Sequence, residues 1–239
     1  MQIGILQCDS VDTNLQPQFG DYPDMFQRLL TADPAGPELM FRTYDLTSDQ
    51  FPQSGHECDA WLITGSKWSA YDTDAWIIRA HEFVRELHAH RRPTIGVCFG
   101  HQLIARALGG TVEKAAVGWG VGVHTANIDQ QRPWMVPQHA ALTLPVSHQD
   151  QVIEPPAGAM LLAGHAFCPY DMLEIDGHML TMQGHPEFAK GYARALMDKR
   201  HDALGDSVYK TGIASLEQRT DAGVAARWMH NFLAAAAQA

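Results

Sequence analysis

The stretch Thr94–Gln102, TIGVCFGHQ, joins an apolar run to a helix start with no linker between them. Residues 94–98 read as a strand, and GHQLIARAL, residues 100–108, as a helix that Gly109 and Gly110 terminate. Gly96 and Gly100 flank Cys98 in the pattern G-x-C-x-G, which permits a turn too tight for side chains. Upstream, Ile3–Cys8, Glu38–Leu46 and Asp59–Gly65 are strand-like, the last almost continuously apolar, as a strand covered on both faces should be. Residues 22–32 can form a helix between the first two. The clearest helix runs from about Asp74 to His90, with Trp76, Ile77, Ala80, Phe83, Val84 and Leu87 at helical spacing, Asp72 or Thr73 as a cap, and Pro93 beyond its end. Strand, helix, strand, helix in this order predicts a parallel sheet with helices on both faces.

From residue 111 to 183 the pattern changes. GVGVHTANI, ALTLPVSH, AMLLAG, DMLEI and HMLTMQG are short strand-like pieces between Gly and Pro turns, expected as antiparallel additions to that sheet. Helices are expected again over Glu187–Leu204 and Asp221–Ala236. With no repeat and no Pro- or Ser-rich linker, residues 1–239 read as a single α/β domain.

Composition narrows the function classes. A net charge of −10 disfavours a nucleic-acid backbone as partner. No apolar run approaches the ~20 residues of a membrane span. MQIGILQC lacks a basic leader region, and Cys8, Cys58, Cys98 and Cys168 are irregularly spaced, so a cytoplasmic protein with free thiols is expected. The 13 histidines include no HExxH, and no paired CxxC occurs, so no metal site is expected.

The chemistry concentrates at Cys98. A side chain at the end of a buried strand is thrust out at the carboxyl edge of the sheet, where open α/β folds place their ligands. The helix N-terminus beside it favours thiolate over thiol, and the Phe99 amide can donate to a developing oxyanion. The other three cysteines lack this setting. A nucleophile needs a base and the base an orienter; in MQGHPEF, His185 and Glu187 supply both, with Pro186 fixing the backbone between them.

PTIGVCFGHQ and QGHPEF resemble the two signature motifs of class I glutamine amidotransferases, and VSHQDQV, residues 146–152, resembles a third segment of that family, in the same order along the chain. The resemblance implies a flavodoxin-like three-layer α/β sandwich with a mixed, mainly parallel sheet of seven to nine strands. It implies a catalytic triad of Cys98, His185 and Glu187, in which Cys98 attacks a γ-glutamyl amide to give a glutamyl thioester that water releases. Gly65 and Ser66 stand where the family has a paired glycine and, with Phe99, are the expected oxyanion donors. Gln102, Ser147, Gln149 and Asp150 match substrate-contacting positions. Trp68 and Tyr71 are expected either to hold the group beyond the scissile amide or to pack on the helix at Trp76. No cofactor is implied. The implied partners are glutamine or another γ-glutamyl small molecule, with the ammonia passed to a separate synthetase subunit or the chain working alone, as in stand-alone γ-glutamyl peptidases. Three rivals remain: a cysteine-dependent α/β-hydrolase, whose acid precedes its histidine; a PfpI-type chaperone or peptidase, with histidine where Phe99 stands; and a silent binding or regulatory module of the same fold.

Overall fold

The computed structural model describes residues 1–33, 36 and 38–237. Its strands are β1 (Gln2–Gln7), β2 (Met40–Asp45), β3 (Ala60–Ile63), β4 (Thr94–Val97), β5 (Thr111–Lys114), β6 (Gly120–Ile128), β7 (Ala141–His148), β8 (Asp150–Glu154), β9 (Ala159–Gly164), β10 (Met172–Ile175) and β11 (Met179–Met182). Its helices are α1 (Gln16–Phe19), α2 (Tyr22–Leu30), α3 (Ala75–Ala89), α4 (Phe99–Ala107), α5 (Lys190–Lys199), α6 (His201–Leu204), α7 (Asp206–Ser215) and α8 (Ala222–Ala236). Nine strands form one sheet in the order β2-β1-β3-β4-β11-β10-β9-β6-β7, and β5 pairs with β8 in a separate ribbon. Every pairing from β2 to β11 is parallel; every pairing from β11 outward to β7 is antiparallel. The expected mixed α/β sandwich is therefore the observed one.

The parallel half is buried on both faces because alternate side chains enter two separate clusters. Ile3, Ile5 and Leu62 meet Phe26 of α2 and Trp228 and Phe232 of α8. Leu6, Trp61 and Ile63 meet Ile77 and Phe83 of α3 and Leu103 of α4 on the other face. β3 and β4 are fully buried along their length, which is why they read as unbroken apolar runs.

Three expectations need correction. HMLTMQG is more than an antiparallel addition: β11 pairs antiparallel with β10 but parallel with β4, so it lies at the junction of the two halves. Neither Asp72 nor Thr73 caps α3. Asp74 holds the N-cap position without a side-chain bond, and Asp72 accepts instead from the Ser69 amide at 2.9 Å. The helix expected to continue to Leu204 breaks at Arg200, and α7 follows it unanticipated. α7 settles directly on β6: a Cβ on Gly122 would stand 2.1 Å from Ser215 Oγ and 2.6 Å from the Gly212 carbonyl oxygen. The antiparallel half has its own polar tie, since Glu174, 3% exposed, accepts from Arg132 Nη2 at 2.7 Å, Arg132 Nε at 3.1 Å and Trp134 Nε1 at 2.8 Å.

Candidate active site

The turn from β4 to α4 is as tight as its glycines imply. A Cβ on Gly96 would lie 2.6 Å from the Gly100 carbonyl oxygen, and one on Gly100 would lie 2.4 Å from that of Ile63. Cys98 sits between them at φ 52°, ψ −103°, a backbone conformation rarely adopted by a residue with a side chain. Such a conformation persists only where the surroundings over-determine it. Here the Cys98 amide donates to the Met182 carbonyl of β11 at 2.8 Å, while the Cys98 carbonyl accepts from the Gln102 amide at 3.1 Å to begin α4. The first amides of α4, Phe99 among them, have no acceptor within the helix.

His185 and Glu187 follow β11, the strand beside β4, so sheet order alone brings them to Cys98. The His185 amide donates to the Pro145 carbonyl at 2.8 Å, and His185 Nδ1 lies 2.7 Å from Glu187 Oε1. Both side chains are buried, at 4% and 0% exposure. The imidazole lies flat against Phe188, with ring centroids 3.9 Å apart and planes 9° off parallel. Burial disfavours the imidazolium, but the Glu187 carboxylate and the neighbouring Cys98 side chain outweigh it and carry His185 up to about 10. Gly65, at the end of β3, closes the group: a Cβ there would stand 2.9 Å from His185 Cε1 and 3.6 Å from Cys98 Cβ. The other thiols have different surroundings. Burial pushes Cys8, Cys58 and Cys168 upward, and no disulfide forms.

The loop after β3 is pinned rather than free. Ser66 Oγ donates to the Cys8 carbonyl at 2.9 Å, and buried Asp9 accepts from the Lys67 amide and ammonium, both at 3.1 Å. Cys98 forms part of the wall of a cavity of about 220 Å³, with Ser66, Trp68, Gln102, Ser147, Gln149 and Asp150 from the residues singled out in the sequence. Tyr71 does not line it. The Tyr71 hydroxyl donates to Asp150 Oδ1 at 3.1 Å and Ser69 Oγ to Asp150 Oδ2 at 2.5 Å, so Tyr71 and Asp150 tie this loop to the start of β8. Trp68 packs on Trp76 as one expectation had it, with ring centroids 5.4 Å apart, and it also lines the cavity. Gln102 Nε2 is spent on the Asp150 carbonyl at 2.8 Å and Gln183 Oε1 at 3.0 Å, which braces this wall.

The cavity also has walls at Lys114, Trp119 and Arg200 that sequence reasoning did not reach, and at His148 of the VSHQDQV segment. His148 is buried, and burial lowers it to about 3, so it stays neutral. Arg200 caps the C-terminus of α5 and packs its guanidinium over the Trp119 ring at 5.4 Å. No local motif marks Lys114, Trp119 or Arg200. Among the described residues, no group of three or more metal-ligating side chains occurs, and no helix is long and apolar enough to cross a membrane.

A cysteine at a strained strand-to-helix turn, beside a buried histidine–glutamate pair that follows the adjoining strand, defines a class. Residues 41–200 match the family model described as glutamine amidotransferase class-I, and the chain belongs to that family. It is similar to an Arabidopsis thaliana protein named gamma-glutamyl peptidase 3, with 32% identity over 168 residues, or 67% of this chain and 66% of the relative, so the match spans just under two thirds of that protein. It is also 30% identical over 143 residues to a glutamine-hydrolyzing GMP synthase subunit from Sulfolobus acidocaldarius, covering 59% of this chain and 74% of the relative. A glutamine amidotransferase crystal structure from Methylobacillus flagellatus shares the fold, with a TM-score of 0.73 at 18% identity over 98% of this chain and 92% of that one.

Proposed function

We propose that this chain is a cysteine-dependent hydrolase of γ-glutamyl amides, with residues 1–239 acting as one unit and Cys98, His185 and Glu187 as its triad. The observation that carries the reading is the 2.7 Å bond between buried His185 and Glu187, held beside a cysteine in a strained turn. In the proposed cycle the Cys98 sulfur attacks the γ-carbonyl carbon, and the carbonyl oxygen becomes an oxyanion facing the amides of Phe99 and of the Gly65–Ser66 turn. The C–N bond breaks as His185 gives its proton to the departing amine or ammonia, leaving a glutamyl thioester. Water then attacks the thioester, His185 takes its proton, and glutamate leaves as the thiolate re-forms. Glu187 keeps Nδ1 protonated, so that Nε2 is the nitrogen that works. Gln102, Ser147, Gln149 and Asp150 shape the glutamyl subsite, largely through main chain, with Trp68 at its rim.

The similarity to gamma-glutamyl peptidase 3 supports a chain that acts alone on γ-glutamyl compounds; the similarity to a glutamine-hydrolyzing GMP synthase component supports passage of ammonia to a synthetase partner. The test is incubation of the purified chain by itself with free glutamine and with a γ-glutamyl dipeptide, measuring ammonia and free amine. Release from the dipeptide, abolished by Cys98→Ser, is expected. Release from glutamine only, and only with a partner present, would place the chain in an amidotransferase complex. Complete inactivity under both conditions would leave only a silent module of the same fold.

A further inference from the structure

Two hydroxyls hold one peptide of the turn after β3. Thr64 is 0% exposed; its Oγ1 accepts from the Cys8 amide at 3.0 Å and donates to the Gly65 carbonyl at 3.0 Å. A hydroxyl has one hydrogen and the Cys8 amide can only donate, so the Thr64 hydrogen goes to Gly65. Ser66 Oγ is placed in the same way, accepting from the Trp68 amide at 3.2 Å and donating to the Cys8 carbonyl at 2.9 Å. The N–H and C=O of buried Cys8 therefore anchor the Gly65–Ser66 peptide from both ends. On either side, the Thr64 amide donates to the Leu6 carbonyl and the Lys67 amide to Asp9 Oδ2, both at 3.1 Å. Between them, the Gly65 and Ser66 amides have no acceptor among the described residues. A trans peptide is planar, so turning the Gly65 carbonyl to Thr64 turns the Ser66 N–H the opposite way. An untied Gly–Ser peptide rotates at little cost, because glycine has no Cβ to oppose it, and rotation exchanges the N–H for a carbonyl oxygen. The nucleophile is close enough for that exchange to matter, since a Cβ on Gly65 would stand 3.6 Å from Cys98 Cβ.

We infer that Thr64 is a positioning residue of this site: its hydroxyl, together with that of Ser66, fixes the Ser66 N–H towards Cys98, so that this oxyanion donor is in place before substrate arrives. The inference rests on the γ-glutamyl hydrolase reading above and deepens it. Thr64 does not line the cavity, so it touches no substrate and acts only through the Gly65–Ser66 peptide. Its effect belongs to the step in which charge builds on the carbonyl oxygen, not to binding and not to the reactivity of the thiol.

The experiment follows two reactions of the same sulfur in the wild type, Thr64→Val and Thr64→Ser. Hydrolysis of a γ-glutamyl dipeptide passes through an oxyanion; alkylation by iodoacetamide displaces iodide from a CH₂ group and forms none. In Thr64→Val, kcat should fall by about a hundredfold, the worth of an oxyanion donor, with KM and the alkylation rate of Cys98 unchanged to within about twofold. Thr64→Ser keeps the hydroxyl and should recover all but a fewfold of that loss. Ser66→Ala keeps the amide and removes only the tie to the Cys8 carbonyl; kcat should fall by about tenfold, again without change in alkylation. Far-UV circular dichroism establishes that each variant is folded, and if Thr64→Val is not, Ser66→Ala decides alone. Undiminished kcat in Thr64→Val or in Ser66→Ala would overturn the inference and leave the hydrolase reading standing. So would a parallel loss of alkylation, or no recovery in Thr64→Ser. A wild-type chain that cleaves no γ-glutamyl dipeptide would overturn the hydrolase reading, and the inference with it.

Discussion

Replacing Glu187 by glutamine separates charge from shape at the centre of the site. The carboxamide oxygen can still accept from His185 Nδ1, where Glu187 Oε1 now lies at 2.7 Å, and the stack on Phe188 holds the ring in place. What disappears is the negative charge, the largest of the influences that raise His185 to about 10 against its burial. In the proposed cycle the imidazolium is the acid that protonates the departing amine, so the wild type should keep that acid as pH rises and lose it only through about 10. In Glu187→Gln the alkaline limb should move down towards the ordinary histidine range near ~6.5. The size of the defect then depends on pH. At about pH 9, a group titrating near ~10 is ~90% protonated and one titrating near ~7 only ~1%, which predicts a loss of about a hundredfold. At about pH 6 the same populations are nearly equal, and the loss should be within a fewfold. The assay is kcat/KM for a γ-glutamyl dipeptide from about pH 5 to about pH 10, both variants in one buffer series. A uniform loss at every pH would show that Glu187 acts by placing the ring rather than by its charge. No loss at any pH would remove it from the triad.

Three further outcomes follow from the same geometry. Iodoacetamide at neutral pH should label Cys98 first, because burial raises Cys8, Cys58 and Cys168 and leaves each no more than 2% exposed; peptide mapping that finds any of these ahead of Cys98 contradicts the elbow. Gly100→Ala would set a Cβ 2.4 Å from the Ile63 carbonyl oxygen, so its helix-propensity gain of ~1 kcal/mol should be outweighed, with a net loss of about 2 kcal/mol in urea unfolding; unchanged or increased stability would refute the close approach. Glu174→Ala leaves Arg132 and Trp134 without their shared acceptor and should cost about 3 kcal/mol, read by the same unfolding assay, with little effect on KM.

How much was legible in the sequence varied with how local the cause was. β4, the Cys98 turn and α4 depend on one continuous stretch, and they are where the glycines put them. β6, β7 and β9 have the bounds of their apolar pieces because turns of Gly and Pro delimit them. The position of β11 was not legible, since alternation reports a half-buried strand but not its partners, and β11 has one of each kind. The β5–β8 ribbon went unseen because residues 150–152 read as a binding segment, and α7 because its contact with β6 depends on glycines 90 residues apart, Gly122 and Gly212. The grouping of Cys98, His185 and Glu187 could be read because they fall in two short motifs. Lys114, Trp119 and Arg200 could not: they come from three segments that only the completed fold brings to one wall. Tyr71 shows the converse, an aromatic placed correctly in the loop after β3 whose hydroxyl braces Asp150 instead of facing the cavity.

The proposed chemistry requires a covalent glutamyl thioester on Cys98, and trapping it is the most direct test. The purified chain would be mixed with a γ-glutamyl dipeptide, quenched in acid within milliseconds to seconds, digested and mapped by mass spectrometry. A glutamyl adduct is expected on the peptide carrying Cys98, formed before the free amine reaches its steady rate, lost on treatment with hydroxylamine and absent in Cys98→Ser. Steady hydrolysis of the dipeptide by Cys98→Ser at the wild-type rate, with no adduct on any cysteine, would contradict the thioester route.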